Sequence, residues 1–169
     1  MFSIDGYTAL TAACFSGNLK MLSRLIELGA DVNYQKSVAD YPPIFYVCRF
    51  CKDNVEILEL LVENGADINQ TILDGKNLLH IAAESAYLNT VEKLLTMGFD
   101  PNSSTFKGES PLYLVLFARA ETENILKVVK ALVAAGSEIK REDRLGETPL
   151  SIAASRPSLC EIAIYFSNL

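Results

Sequence analysis

The segment Gly-Ala-Asp-Val-Asn at 29–33 decides the fold, because the chain returns to it at a nearly constant interval. It recurs as Gly-Ala-Asp-Ile-Asn at 65–69, as Gly-Phe-Asp-Pro-Asn at 98–102, and in the degraded form Gly-Ser-Glu-Ile-Lys at 136–140. The glycines that open these segments are therefore 36, 33 and 38 residues apart. Self-similarity with a period of roughly 20–50 residues is the sequence signature of a repeat architecture. The sequence thus predicts stacked copies of one structural unit.

A second segment recurs with the same period and predicts where the first helix of each copy begins. Its hydroxyl or amide residue precedes an apolar stretch and is a good helix N-cap, as at Thr8, Asn77, Ser110 and Thr148. Proline follows two of these caps, at the first helical position, where its missing N–H costs nothing. The five copies read Gly-Tyr-Thr-Ala-Leu at 6–10, Asp-Tyr-Pro-Pro-Ile at 40–44, Gly-Lys-Asn-Leu-Leu at 75–79, Gly-Glu-Ser-Pro-Leu at 108–112 and Gly-Glu-Thr-Pro-Leu at 146–150.

A second helix is predicted in each copy, from leucine pairs that recur with other apolar residues at helical spacing. The glycine of the first marker then ends this helix, because a left-handed residue commonly follows a helix C-terminus. Small residues in the first helix permit close packing between helices. The predicted second helices span 19–28, 55–63, 90–97, 125–135 and 159–166.

These Thr-Pro-Leu-like starts, paired small residues, leucine pairs and Gly-Ala-Asp-x-Asn ends resemble the ankyrin repeat. The resemblance implies an all-α ankyrin-repeat solenoid of about five helix-turn-helix repeats joined by short hairpin-like connectors. We expect one domain, 1–169, with repeats at about 5–39, 40–73, 74–107, 108–145 and 146–169. We also expect a longer helix–helix turn at 51–54, a lengthened inter-helix loop or helix end near 118–124, and a truncated terminal repeat at the C-terminus.

Composition disfavours several classes of partner. The formal net charge is −6, and the most basic local feature, Lys140-Arg141 with Arg144, is interrupted by acidic residues. Nucleic-acid binding and attachment to acidic lipid are therefore not expected. No stretch of 18 apolar residues predicts a membrane span, and the N-terminus lacks the pattern of a signal peptide. We therefore expect a cytoplasmic protein.

The four cysteines predict neither disulfides nor a metal site. In a reducing compartment Cys14 and Cys48 are expected to be small buried hydrophobic residues in the first helices of repeats one and two, whereas Cys51 and Cys160 are expected to be more exposed. Cys48-x-x-Cys51 lacks the second pair of ligands that a zinc site needs. No cofactor is predicted.

Catalysis is not expected either. His80, the single histidine, occupies a helix start where ankyrin repeats often carry histidine, and we interpret it as a structural hydrogen-bonding residue. No phosphate-binding glycine loop, dinucleotide-binding loop or nucleophile elbow is present. The repeat-end acids Asp31, Asp67 and Asp100 are expected to bond to turn backbone.

The resemblance implies instead that a partner protein binds the concave side, on the connector tips and the exposed ends of the first helices. Several of these positions hold aromatic residues or arginine, which are enriched at binding hot spots; the alternative is that the aromatic side chains pack against neighbouring repeats. An anchor patch (Tyr7, Phe15, Tyr41, Arg49, Phe50) with a polar rim further along is predicted. The whole predicted surface comprises Tyr7, Phe15, Tyr41, Arg49, Phe50, Leu73, Lys76, Glu84, Phe106, Glu109, Phe117, Arg144 and Glu147.

Two functions of this kind are open from the sequence. The first is a stand-alone module that inhibits or neutralises one partner, and the negative charge would suit a partner with a basic face. The second is an adaptor or scaffold fragment of a larger repeat protein. A monomer is the expected oligomeric state.

Overall fold

The structure, a computed structural model, describes residues 8–35 and 40–169. Every regular element in these residues is a helix, and the helices form five consecutive pairs. The predicted all-α solenoid of about five helix pairs is thereby confirmed. The pairs are α1 (Ala9–Ser16) with α2 (Leu19–Glu27), α3 (Pro43–Phe50) with α4 (Val55–Glu63), α5 (Leu78–Glu84) with α6 (Leu88–Thr96), α7 (Pro111–Val115) with α8 (Thr122–Ala134), and α9 (Pro149–Ser155) with α10 (Cys160–Ser167), the last preceded by a 3₁₀ turn at Pro157–Leu159.

The local signals for helix starts are confirmed. The side chains of Thr8, Asn77, Ser110 and Thr148 each accept a hydrogen bond from the backbone N–H three residues later. Helices α7 and α9 begin with proline, as predicted. Helix α3 also begins with a proline, but its N-cap is Pro42, which supplies no side-chain acceptor. The glycines that follow the first four second helices, Gly29, Gly65, Gly98 and Gly136, all have positive φ.

The helices form two packed rows. α1, α3, α5 and α7 lie side by side, and α2, α4, α6, α8 and α10 form the second row behind them. Alanines in the first row allow this close approach: Ala13, Ala82 and Ala83 are completely buried. Large side chains such as Leu79 and Leu61 fill the space between the rows and have no exposed surface. The core is therefore continuous along the stack, so each repeat depends on its neighbours.

The repeat-end residues join successive repeats. Asp31, Asp67 and Asp100 each accept the backbone N–H two residues later, as the sequence predicted. The Asn102 amide reaches the next repeat: it donates to the Gly136 carbonyl at 2.9 Å and accepts from the Glu138 N–H at 3.0 Å. Asn33 makes the same pair of bonds to Gly65 and Asp67. These asparagines fix the spacing between repeats through the backbone of the following turn.

The predicted long turn at 51–54 caps a helix of the following repeat. α6 begins after Tyr87, which offers no side-chain cap. Asp53 replaces that cap from the previous repeat, accepting the Asn89 N–H at 2.8 Å and both the N–H and the hydroxyl of Thr90 at 2.7 and 2.8 Å. Asp53 has φ of 62°, a conformation that aspartate tolerates better than most residues. The strained turn thus aims a carboxylate at the N-terminus of the neighbouring helix.

We expect Asp53→Ala to lower the free energy of unfolding by about 2 kcal/mol, since it removes a charge-assisted cap and leaves the buried Thr90 hydroxyl without its acceptor. Urea unfolding followed by circular dichroism measures this change. Asp53→Asn is the matched control, because it keeps an acceptor and tolerates the same φ. It should lower the free energy of unfolding by less than half as much as Asp53→Ala does. An alanine variant as stable as the wild type would contradict the cross-repeat cap.

The exposure of the cysteines agrees with the sequence expectations except at Cys51. Cys14 and Cys48 are fully buried and Cys160 is exposed, as predicted, but the prediction for Cys51 is wrong because only 4% of it is exposed. Cys51 follows α3 where that helix packs on α1, and its thiol donates to the Cys14 carbonyl. Burial raises the pKa of Cys14 to about 12 and that of Cys51 to about 11, so both remain thiols.

Candidate protein-binding surface

The predicted binding residues lie on connector tips and at the C-terminal ends of the first helices. Tyr7 lies outside the described residues. Tyr41, Arg49, Lys76, Glu84 and Glu109 are partly buried. Arg144 and Glu147 are exposed. Five large apolar side chains of the set are well exposed: Phe15 (51%), Phe50 (38%), Leu73 (67%), Phe106 (61%) and Phe117 (41%).

The anchor patch contains a continuous line of rings, which we call the aromatic row and define as Phe15, Tyr41, Tyr46 and Phe50. Phe15 of α1 contacts Phe50 of α3 with 4.8 Å between ring centroids. Phe50 stacks on Tyr46 at 6.1 Å, and Tyr46 meets Tyr41 edge-on at 5.9 Å. The row therefore crosses from repeat one to repeat two. The rings pack against one another, as expected of core residues, and yet remain partly exposed, as expected of a binding surface.

Tyr46 is a member of the row that the sequence did not single out. Its side chain is only 9% exposed, and it lies four residues before Phe50 on the same helix face. That spacing is visible in the sequence, but a tyrosine inside an apolar helix is typical of a core residue and does not by itself indicate a binding surface. Its role in the row is to hold the Phe50 and Tyr41 rings in place from below.

The central rim residues are joined to one another rather than free. The Glu84 carboxylate lies 3.1 Å from the Lys76 ammonium and 3.6 Å from the Arg49 guanidinium, and Lys76 also lies 3.3 Å from Asp74. Burial by itself would lower the pKa of Lys76, but the Glu84 and Asp74 carboxylates outweigh burial and raise it. Lys76 is therefore charged at neutral pH. The network links repeat two to repeat three, and it limits how much of Glu84 remains for a partner.

The connector tips of repeats three to five are aligned by backbone hydrogen bonds. The Phe106 N–H donates to the Asp74 carbonyl, and the Arg144 N–H donates to the Lys107 carbonyl, both at 2.9 Å. Gly75 is required in this row: its φ is 83°, and a Cβ there would lie 2.8 Å from the Phe106 ring. Leu73 and Phe106 are thus presented as neighbouring apolar tips on a backbone that is already ordered, which reduces the entropy lost on binding.

Towards the C-terminal end, the predicted acidic tips are partly committed to internal bonds. Glu109 accepts the Thr105 hydroxyl at 3.0 Å, and Glu147 accepts the Tyr113 hydroxyl at 3.2 Å. Burial, aided by the nearby Asp143 and Glu147 carboxylates, raises the pKa of Tyr113 to about 12, so its hydroxyl stays a donor. These two glutamates retain one oxygen each for further contacts.

Phe117 is supported from two sides at the end of the first row. Its ring stacks on Tyr113 with 5.2 Å between centroids, and the Arg156 guanidinium lies 3.9 Å above it. Arg156 was not among the predicted surface residues, although it occupies the position that follows α9, the first helix of repeat five. Phe117 is therefore a fixed aromatic platform, and fixed aromatic residues contribute most to binding energy.

No helix of the described residues combines the length and the apolar character that a membrane span requires. Charged side chains are distributed along the surface, as in the Lys127–Glu123 and Lys93–Glu59 pairs on the second helices.

The chain matches family models for ankyrin repeats. One model, ankyrin repeats (3 copies), matches residues 38–105 and 79–168, and another, ankyrin repeats (many copies), matches residues 10–62. The chain is 30% identical over 156 residues to an ankyrin repeat protein of fowlpox virus, FPV031, covering 91% of this chain and 45% of that protein. It is also 30% identical over 156 residues to the B-cell lymphoma 3 protein homolog of Mus musculus, covering 89% of this chain and 33% of the mouse protein.

A third relative carries an enzyme name. The intracellular phospholipase A2 of Caenorhabditis elegans is 27% identical over 132 residues, which cover 75% of this chain but only 12% of the phospholipase. The chain thus spans less than half the length of these three relatives.

Proposed function

Because the chain belongs to the ankyrin-repeat family, we propose that it is a binding module which inhibits or neutralises one partner protein. Ankyrin repeats generally mediate protein–protein interactions and are generally not enzymes. The binding surface in this proposal is the predicted set of connector tips and first-helix ends. In ankyrin-repeat proteins these positions lie on the concave side. The similarity to a phospholipase concerns 12% of that protein and carries no argument for catalysis.

The exposure of the aromatic row is the observation that supports this proposal. Phe15 and Phe50 contact each other and yet remain 51% and 38% exposed, so a partner could cover both rings at once. Burial of an aromatic side chain removes some 150–250 Å² from water, which makes such residues effective anchors. Inhibition would follow from covering a functional face of the partner, and the chain's net charge of −6 favours the approach of a partner with a basic face.

We expect the double substitution Tyr41→Ala/Phe50→Ala to weaken partner binding by about 30-fold or more, because hot-spot residues contribute about 1–2 kcal/mol each or more. The measurement is an affinity pull-down from the native lysate, with mass spectrometry of the proteins retained by wild type and variant. Leu28→Ala/Ile164→Ala is the matched control, since these side chains are 66% and 59% exposed and lie outside the predicted surface.

Because Tyr41 packs against Phe45 and Tyr46, the double variant must also be checked for folding by circular dichroism. Phe15→Ser serves as a second variant, since half of this side chain is already exposed. A partner that both variants retain as well as the wild type does would show that the aromatic row is not the binding surface.

The alternative candidate is an adaptor or scaffold role within a longer repeat protein. The lengths of the fowlpox and mouse relatives, which exceed the matched region more than twofold, support this alternative. An immunoblot of the source lysate separates the two candidates: a band near 18.6 kDa supports the stand-alone inhibitor, whereas a much larger band supports the adaptor.

A further inference from the structure

A groove with a volume of about 1060 Å³ lies beside the helix–helix turns of repeats two, three and four. The long turn at 51–54, the tight turn around Ala86 and the loop between α7 and α8 form its edges. The groove exists because α7 is only five residues long and the chain then needs residues 116–121 to reach α8. Its volume slightly exceeds the usual range of ligand sites, about 300–1,000 Å³.

The charge of the groove differs in sign from the charge of the whole chain. Among the described residues that line it, four are cationic, Arg49, Lys52, Arg119 and Lys127, and two are acidic, Asp53 and Glu84. The chain as a whole has a net charge of −6. The groove is thus a local excess of positive charge on an acidic protein.

Both carboxylates of the groove are already bonded within the fold. Asp53 accepts three hydrogen bonds from Asn89 and Thr90, and Glu84 is paired with Lys76 and Arg49. No ion pair joins Lys52 or Arg119 to another residue in the described part of the chain. Two cations, Lys52 and Arg119, therefore remain without an ion pair for a ligand, whereas Glu84 is already paired with cations and Asp53 already accepts three hydrogen bonds.

Two aromatic platforms lie in the same groove. Phe50 and Phe117 both line it, and their side chains are 38% and 41% exposed. Phe50 is held by Phe15 and Tyr46, and Phe117 is held by Tyr113 and Arg156. The groove therefore offers exposed apolar rings beside unpaired cations, a combination that suits a ligand with both carboxylates and an apolar side chain.

We propose that this groove binds an acidic peptide segment of the partner protein. In this arrangement the carboxylates of the segment pair with Lys52 and Arg119, and an apolar side chain of the segment packs on Phe50 or Phe117. The inference rests on the proposed function, because the groove shares Arg49, Phe50 and Phe117 with the predicted binding surface, and it adds the chemistry of what is bound.

The overall negative charge, which favours a partner with a basic face, does not prevent the groove from recognising one acidic segment of that partner. At 0.15 M ionic strength, exposed charges are screened beyond a distance of about 8 Å. Contacts within the groove are shorter than that distance, so a ligand there interacts more strongly with the local cations than with the distant acidic residues. Because added salt screens these ion pairs, binding should weaken as salt is raised, which distinguishes it from purely apolar docking.

The test uses fluorescence polarisation with a labelled octapeptide of seven glutamates and one central phenylalanine. Lys52→Glu/Arg119→Glu should weaken its binding by about tenfold or more, because two attractive contacts become repulsive. The matched control Lys20→Glu/Lys140→Glu makes the same change in net charge at exposed lysines outside the groove, and it should change binding less than twofold. Replacing the peptide's phenylalanine with serine should weaken binding several-fold.

Three results would overturn the proposal. The first is an octapeptide that does not bind the wild type, and the second is equal loss of binding in the groove variant and the control. The third is a single-stranded octanucleotide that binds as tightly as the peptide, since the groove would then be a general polyanion site. If the octapeptide fails while the lysate partner still depends on Tyr41 and Phe50, the proposed function stands and only the acidic ligand is wrong.

Discussion

Leu79→Ala is expected to lower the free energy of unfolding by roughly 2–5 kcal/mol, the largest single effect that we predict. Leu79 has no exposed surface and lies in α5, which packs against α3, α6 and α7. Truncation leaves a cavity in the middle of the stack, where repeats on both sides rely on the same surface. Urea unfolding monitored by circular dichroism measures the loss.

The matched control for this prediction is Leu73→Ala, which removes the same atoms from a side chain that is 67% exposed. It should change the unfolding free energy by less than about 0.5 kcal/mol. If the two variants lower the free energy of unfolding equally, α5 does not lie at the centre of the core. Because Leu73 belongs to the predicted binding surface, the same control protein can also be used in the pull-down.

Acidification is expected to remove up to about 3 kcal/mol of stability through His80 alone. Burial is the main cause that lowers the pKa of His80 from 6.5 to about 4; the nearby Lys76 contributes to the lowering, whereas the Glu109 and Ser103 carbonyls and Asp74 oppose it. Between these two values the unfolded chain binds more protons than the folded chain. Stability from His80 is therefore fully present above pH 6.5 and is lost as the pH falls towards 4.

Burial of the His80 ring, rather than its hydrogen bonds, explains why protonation is unfavourable. The neutral ring donates from Nε2 to the Ser103 carbonyl at 3.2 Å, and its Nδ1 accepts the Asn77 N–H at 3.3 Å. Nδ1 also lies 2.7 Å from the Asn77 Oδ1, so the unfavourable effect of a second proton comes mainly from burying a charge at a side chain that is 1% exposed. His80 links the start of α5 to the Ser103 backbone later in repeat three.

The measurement is the unfolding free energy of wild type and His80→Gln between pH 7 and pH 4, at fixed ionic strength. The carboxylates titrate in both proteins, so their contribution cancels in the difference. The stability advantage of the wild type should shrink as the pH falls through this window. Parallel curves for the two proteins would show that His80 does not carry the acid sensitivity.

The fold could be predicted from the sequence because its signals are local. Ser110 and Pro111 define a helix start within two residues, and Gly65 defines a helix end by itself. The single histidine was interpreted as structural because it lies at a helix start where ankyrin repeats often carry histidine, and its hydrogen bonds to Asn77 agree. Ser110, Pro111 and Gly65 act on backbone within four positions of themselves, whereas the bond from His80 to Ser103 spans 23 residues.

The features that could not be predicted act over longer separations. Asp53 caps a helix whose donors lie 36 and 37 residues further on, and no local pattern indicates that partner. Cys51 was expected to be more exposed than Cys14 and Cys48, but its turn packs against α1. The groove depends on where three separate turns come together in space, and the row formed by Phe15 and Phe50 depends on the register between two repeats.

The cross-repeat bonds of Asn33, Asp53 and Asn102 also have a direction. The side-chain oxygen of each residue accepts a backbone N–H of the following repeat, and the Asn33 and Asn102 amides also donate to a backbone carbonyl of that repeat. A ribosome releases the chain from its N-terminus at about 5–20 residues per second. These side chains are therefore already outside the ribosome when their backbone partners emerge, and each newly made repeat can be completed against its predecessor without waiting for the rest of the chain.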